Sequence, residues 1–330
     1  MSKKTGSPIV PAVFSHVRNS FQGRSQPYEA DVINTSNSIN LNMDQTVLFG
    51  TMGLTDRLDF SVSIPISSVR LGVSSNANII RVSGSTFAIS GTTFSNPHSF
   101  TPDGNGLQKT FASTGSSSGI GDLSFRLKGS IYQSNTVRIA AAIDIRTPTG
   151  DARQFLGTGS TGIKPFIIIS GGKRFSPHVN FGYQWNSDSI LAGNITGTTI
   201  GENANGDTTI QTGPAIAGTM PKVLTYSVGA DYGVAKRLSV AIDYLGQTVL
   251  DARRIATTTF VTQNIAGGTG TLRLPTIVPV KETVALSSGS IGFKYNIARN
   301  LLFTGNVLFK LDHNGLRQNV TPLIALSYSH

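Results

Sequence analysis

The sequence predicts an all-β chain folded as a single antiparallel transmembrane β-barrel of about twelve strands, with short turns at one end and long loops at the other. Three observations predict it. An alternating strand, a turn of about three residues and a second alternating strand recur about five times along the chain. The connections between these hairpins are very unequal in length and rich in Gly, Ser, Thr and Asn. Charged residues make up only 13% of the 330 residues, well below the roughly 25% of soluble domains.

Residues 1–27, with Pro8, Pro11 and Pro27, read as an irregular segment, either a periplasmic tail or a plug, and residues 28–330 as the barrel. Alternation is weak from about Ala30 to Asn42 and better from Gln45 to Leu54. After the turn at Leu54–Arg57, residues Phe60, Val62, Ile64 and Ile66 share one face of a strand. A long polar stretch from about Gly72 to Ser118 shows little periodicity beyond a hairpin near Phe87. The second hairpin runs from about Gly119 to Pro148. Its first strand alternates Leu123, Phe125 and Leu127 with Ser124, Arg126 and Lys128; its second alternates Ile139, Ile143 and Ile145 with Arg138, Asp144 and Arg146. The third spans about Ile163 to Trp185, and a Gly/Asn/Thr-rich loop runs on to Pro221. The fourth hairpin, Leu224–Tyr244, is the clearest. A loop from about Asp251 to Lys281, a fifth hairpin over Val284–Leu311 and a last strand over Arg317–His330 complete the pattern. An even count places both termini at the periplasmic side and brings the first and last strands together, so no edge is unpaired in lipid.

Composition removes other classes. No run of about 18 apolar residues exists, so no helix spans a bilayer. Mean hydropathy of +0.01 suits strands in which every other residue is apolar. Cysteine is absent, which excludes disulfides, thiolate metal sites and a thiol nucleophile. The net charge of +10 is scattered singly, with no basic cluster interleaved with aromatics, so nucleic acid is not an expected partner. Diffuse positive charge suits lipopolysaccharide phosphates or an anion bias in a pore. The segment Met1–Pro8 lacks an apolar core and cleavage site, so a secretory signal peptide is absent from this chain although the expected compartment is the outer membrane of a Gram-negative bacterium. The five histidines, His16, His98, His178, His313 and His330, lack metal-ligand spacing and read as surface residues. No Gly-x-Ser-x-Gly elbow occurs, and neither Gly213–Gly218 nor Gly267–Gly270 is followed by a Lys-Ser/Thr pair. No enzyme, cofactor or metal is expected.

Parity then sorts the charges. If Leu123, Phe125 and Leu127 face lipid, the lumen is lined by Asp59, Arg126, Lys128, Arg138, Asp144, Arg146, Asp231, Asp243, Lys294 and Lys310. An Arg or Lys facing lipid at midplane would cost roughly 2–4 kcal/mol, which forces these residues inward. They either fill a narrow interior with ion pairs or line a polar pathway. Tyr132, Phe175, Tyr232 and Tyr295 each sit just before a short turn on the apolar face, as a periplasmic aromatic girdle would. Trp185, Tyr244 and Phe309 lie about ten residues up the return strands, where the opposite girdle belongs.

Several stretches resemble the outer-membrane, transporter-like family known as putative MetA-pathway of phenol degradation proteins. They are Gly119-Ile-Gly-Asp-Leu-Ser-Phe-Arg-Leu-Lys128, Pro148-Thr-Gly-Asp151, Leu156-Gly-Thr-Gly-Ser-Thr161 and the turn Gly53–Leu58. Phe125 replaces a family Leu. The resemblance is good over about Gly119–Trp185 and looser beyond. It implies a porin-like barrel for passive uptake of small aromatic or hydrophobic solutes, with no catalytic residues. Such barrels end on an aromatic that the barrel-assembly machinery recognises; here Tyr328 has that parity and His330 is last. A structural barrel without transport and a soluble β-sandwich for binding or adhesion are the competing readings.

Overall fold

The computed structural model describes residues 9–14, 32–80, 86–89, 92–95, 99–101, 106–194, 197–202, 208–263, 271–315 and 317–329. Strand β1 (Ile9–Phe14) lies against the start of β2 (Val32–Thr55), which turns at Asp56–Arg57 into β3 (Leu58–Ile80). A small hairpin, β4 (Thr86–Ile89) and β5 (Thr92–Ser95), sets Phe87 opposite Phe94. Strands β6 (Gln108–Ile120) and β7 (Ser124–Gln133) both pair with β3, so they are one strand broken at Gly121, Asp122 and Leu123. Next come β8 (Val137–Arg146), a loop with a short 3-10 turn over Ala152–Gln154, β9 (Gly162–Gly171) and β10 (Phe175–Asn186). Four short strands follow, β11 (Asp188–Asn194), β12 (Thr198–Glu202), β13 (Thr208–Thr212) and β14 (Ile216–Thr219), in two separate pairs. The chain ends with β15 (Lys222–Ala235), β16 (Leu238–Gln263), β17 (Thr271–Ala298), β18 (Leu301–Lys310) and β19 (Val320–Tyr328).

All the long strands form one antiparallel meander, β1-β2-β3-β7-β8-β9-β10-β15-β16-β17-β18-β19, with β6 continuing β7 beside β3. The sheet curls, because β1 at one edge reaches β17 near the other. Among the described residues the strands of this sheet, counted with β6 and β7 as one, number twelve, as expected, but their make-up differs. The two stretches before the first turn are one continuous strand, β2, and the extra strand is β1 inside the segment expected to be irregular. The expected junction of first and last strands is also different: among the described residues no ladder joins β19 to β2, and β1 occupies the start of the β2 edge.

The strands also run further than alternation suggested. β3 continues to Ile80, β6 begins at Gln108, and β16 and β17 pair from Ala252↔Glu282 out to Gln263↔Thr271. Period-two alternation records a contrast between the two faces of a sheet. Beyond the lipid the membrane-level pattern of apolar outside and polar inside no longer holds, so it does not mark the rest of the strand, while the ladder goes on. Phe175 opens β10 after the turn at residues 172–174, so it flanks that turn on the other side from the one expected. Gly172 makes the turn with φ +80, a conformation that glycine adopts without strain.

The two faces of the sheet differ in the sense opposite to a soluble protein. Ile167, Ile242 and Ile291 are 49%, 61% and 56% exposed, and with Phe181 and Phe293 they belong to one uncovered apolar face. The charged side chains of the other face are crowded together, Asp144 being only 17% exposed. Side chains converge on the concave side of a curled sheet, so the polar face is the inner one. No second sheet covers the apolar face among the described residues, as a sandwich would require.

Candidate functional site: the inner face and its loop

Ladder register decides which charges meet. Asp59 is opposite Lys128, Arg126 is opposite Asp144, and Asp144 is opposite Lys164. Arg126 grips Asp144 with two bonds, Nε to Oδ1 at 2.6 Å and Nη2 to Oδ2 at 2.9 Å, and Lys164 reaches the same carboxylate at 3.2 Å. Both cations flank the Phe166 ring, at 4.9 and 5.3 Å from its centroid. Lys128 meets Asp59 at 3.3 Å. Further round, His178 Nε2 lies 2.7 Å from Asp243, its Nδ1 lies 3.9 Å from Asp231, and Lys294 binds Asp231 at 2.8 Å. Arg146 donates to Asn186 at 2.9 Å and faces Asp122 at 3.7 Å.

Of the ten residues expected in the lumen, seven join ion pairs, and Asp243 shares a hydrogen bond with His178. The other two do not: Arg138 is exposed, and Lys310 donates to the Gly315 carbonyl at 3.3 Å. Lys164 and His178 escaped the sequence reading. His178, expected at the surface, faces inward, and its parity with Asn180, Gly182 and Gln184, opposite Phe181 and Trp185, carries the signal. His16, His98 and His330 lie outside the described residues, and His313 is exposed.

The aromatics expected at the girdles lie on the apolar face. Phe175 pairs with Tyr232, Tyr295 pairs with Phe303, and Tyr132, Phe175, Tyr232 and Tyr295 are all exposed. Arg174 lies 5.3 Å over the Tyr232 ring, a cation suited to a headgroup boundary. Higher up, Tyr183 and Trp185 meet edge to face at 4.7 Å, and Tyr244 and Phe309 each pair with Gly289. A Cβ on Gly289 would strike the Phe309 ring; such a ring covers the bare backbone of a strand glycine.

The three quoted stretches around residues 119–128, 148–151 and 156–161 converge on one knot. Asp122, in the break between β6 and β7, accepts from Gly150 N at 3.1 Å, Thr158 N at 2.8 Å and Thr158 Oγ1 at 2.6 Å. Gly150 and Gly157 touch backbone to backbone, where a Cβ on either would clash. Buried Ser160 donates to the Ser187 carbonyl at 2.7 Å, and Ser189 to the Thr158 carbonyl at 2.6 Å. The knot lies inside the barrel: Leu156 packs against Gly119 and Gly121, on the same side as inward Pro65, and Gln154 hydrogen-bonds Ser117. Those two glycines leave room for it.

Beyond the wall, Asp312 in the loop after β18 pins that loop to β17. Desolvation pushes its pKa up, but Arg317 bonds both of its oxygens at 2.7 Å, and the N–H groups of Ser287 and Asn314 add to this. The balance lowers the pKa from 3.8 to about 2. A lowered carboxylate pKa stabilises the folded loop above the unfolded value, and that contribution is lost as pH falls from about 3.8 through about 2. Amide exchange in residues 311–319 is expected to quicken over that window, and Asp312→Asn to abolish the pH dependence.

The sequence model of the family described as "Putative MetA-pathway of phenol degradation" matches residues 38–259. No curated protein matches the chain. Among solved structures, the chain is similar to an outer membrane channel from Pseudomonas putida F1, with 13% identity and a TM-score of 0.44 over 97% of this chain and 88% of that one. It is also similar to OmpF of Salmonella typhi in complex with daunomycin, with 10% identity and a TM-score of 0.31 over 98% and 96%. The siderophore receptor PirA of Acinetobacter baumannii gives 8% identity and a TM-score of 0.32 over 92% of this chain and 48% of the receptor.

Proposed function

The chain belongs to the "Putative MetA-pathway of phenol degradation" family, and from that premise we propose that it is a non-enzymatic outer-membrane channel for passive uptake of small aromatic or hydrophobic solutes. The observation that carries the reading is the inverted polarity of the sheet. An uncovered apolar face calls for lipid, and paired charges on the inner face suit a polar interior. In this reading residues 28–330 are the barrel and residues 1–27 a segment whose β1 pairs with the start of β2, at the end away from the Asp56–Arg57 turn. The ten inner-face charges line the pathway, and the aromatics at the two ends of the apolar face mark the membrane boundaries. Lipopolysaccharide surrounds the outer half, and the barrel-assembly machinery inserts the chain.

The test compares uptake of aromatic acids and hydrocarbons by a deletion strain and its parent, alongside conductance of the purified protein in planar bilayers. Slower uptake in the deletion strain and discrete openings are expected; absence of both would leave a structural barrel. Asp144→Asn removes the carboxylate shared by Arg126 and Lys164. It is expected to raise the anion-to-cation permeability ratio severalfold, read from the reversal potential in a salt gradient.

A further inference from the structure

Beyond the membrane band the polarity of the sheet turns inside out. On the outer face of β3, Phe60, Val62, Ile64 and Ile66 give way to Ser68, Arg70, Gly72, Ser74 and Asn76. Their partners on β2 change in step, from Met52 and Leu48 to Asp44, Asn42, Asn40 and Ser38. The inner face does the reverse. Above Asp59, Ser61 and Ser63 come Val69, Leu71, Val73, Ala77 and Ile79, paired on β2 with Met43, Leu41, Ile39, Thr35 and Ile33. Lipid cannot be what this upper apolar surface meets, since the outer side at the same height carries Asp44 and Arg70.

Val69, Ala77 and Ile79 are buried, but Ile39, Leu41, Met43, Val73 and Phe111 remain exposed. Phe111 stands on the same face of β6, with Phe100 edge-on at 6.0 Å and Lys109 5.2 Å from its ring. Just below, the inward knot with Gln154 and Leu156 separates this apolar wall from the charges of Arg126 and Asp144. The order from outside inward is thus apolar wall, folded loop, charged lumen.

We propose that the inner face of β2, β3 and β6 is a capture site for a small solute bearing an aromatic ring, which the knot then passes to the lumen. This rests on the channel reading and names the chemistry of its entrance. A charged lumen offers no affinity for an apolar solute, whereas transfer from water to an apolar wall is favourable at about 25 cal/mol per Å². Phe111 adds a ring face for stacking, and Lys109 a cation for a phenolate or carboxylate substituent.

Liposome swelling with the purified protein tests it, with phenyl β-glucoside and glucose as paired solutes that share a polar half. Leu41→Gln and Val73→Gln together are expected to slow phenyl glucoside entry about tenfold, the scale of one lost apolar contact, while glucose entry is unchanged. Asn40→Gln on the outer face is expected to alter neither. Equal slowing of both solutes would mean the double variant damaged the wall, and no change in either would mean the surface is unused; each overturns the proposal. Faster entry of both would show that the substitutions had freed the chain's own N-terminal segment from this wall, and would overturn it too. Wild-type protein that passes neither solute would remove the channel reading itself.

Discussion

Ile242→Arg destabilises the protein by about 2–4 kcal/mol in a bilayer, the cost of a cation facing lipid near midplane. Ile242 is 61% exposed in the isolated chain, between Ala230 and Ile291 on the neighbouring strands. On a soluble protein, replacing a residue so exposed changes stability by roughly 0.5 kcal/mol or less. The two architectures therefore predict different outcomes for one substitution. Reversible urea unfolding into lipid vesicles measures it, with Thr258→Arg, on the extended part of β16 above the lipid, as the near-neutral reference. Near-neutral behaviour of Ile242→Arg would return the apolar face to some soluble partner.

Asp122→Ala is the second large effect. Its carboxylate is only 6% exposed, accepts three hydrogen bonds from the loop and faces Arg146. Hydrogen bonds to charged groups contribute roughly 1.5–3 kcal/mol each, though not additively, so a loss of about 3 kcal/mol is expected, with the Gly150 and Thr158 N–H groups left without their acceptor. Asp122→Asn keeps one acceptor oxygen and is expected to cost about 1 kcal/mol. Limited proteolysis should cut within residues 147–161 of the alanine variant first, because Asp122 ties both Gly150 and Thr158 of that loop to the break between β6 and β7. Protection unchanged from wild type would show that Ser160 and Ser189 hold the knot without it.

The wall within the membrane was legible because lipid imposes a two-residue period on every strand crossing it. Ile139, Ile143 and Ile145 against Arg138, Asp144 and Arg146 is that period written out. Lys164 belongs to the same pattern on β9, yet in Ile163-Lys-Pro-Phe-Ile-Ile-Ile169 the inner positions include Phe166 and Ile168, so alternation gave it no contrast. His178 was hidden differently: only register shows that it faces Asp243 from a strand not adjacent to that residue's own, with β15 between them.

By itself the sequence determined the class of fold, the approximate number of strands and the places of the short turns. All of these follow from local alternation and turn chemistry, which the chain carries residue by residue. Tertiary structure alone decided that Asp122 gathers three distant stretches into an inward knot, that the ionic residues pair rather than stand free, and that the inner surface becomes apolar above the lipid. Those outcomes depend on which strands lie beside one another and where the bilayer stops, and neither is written at any single position of the chain.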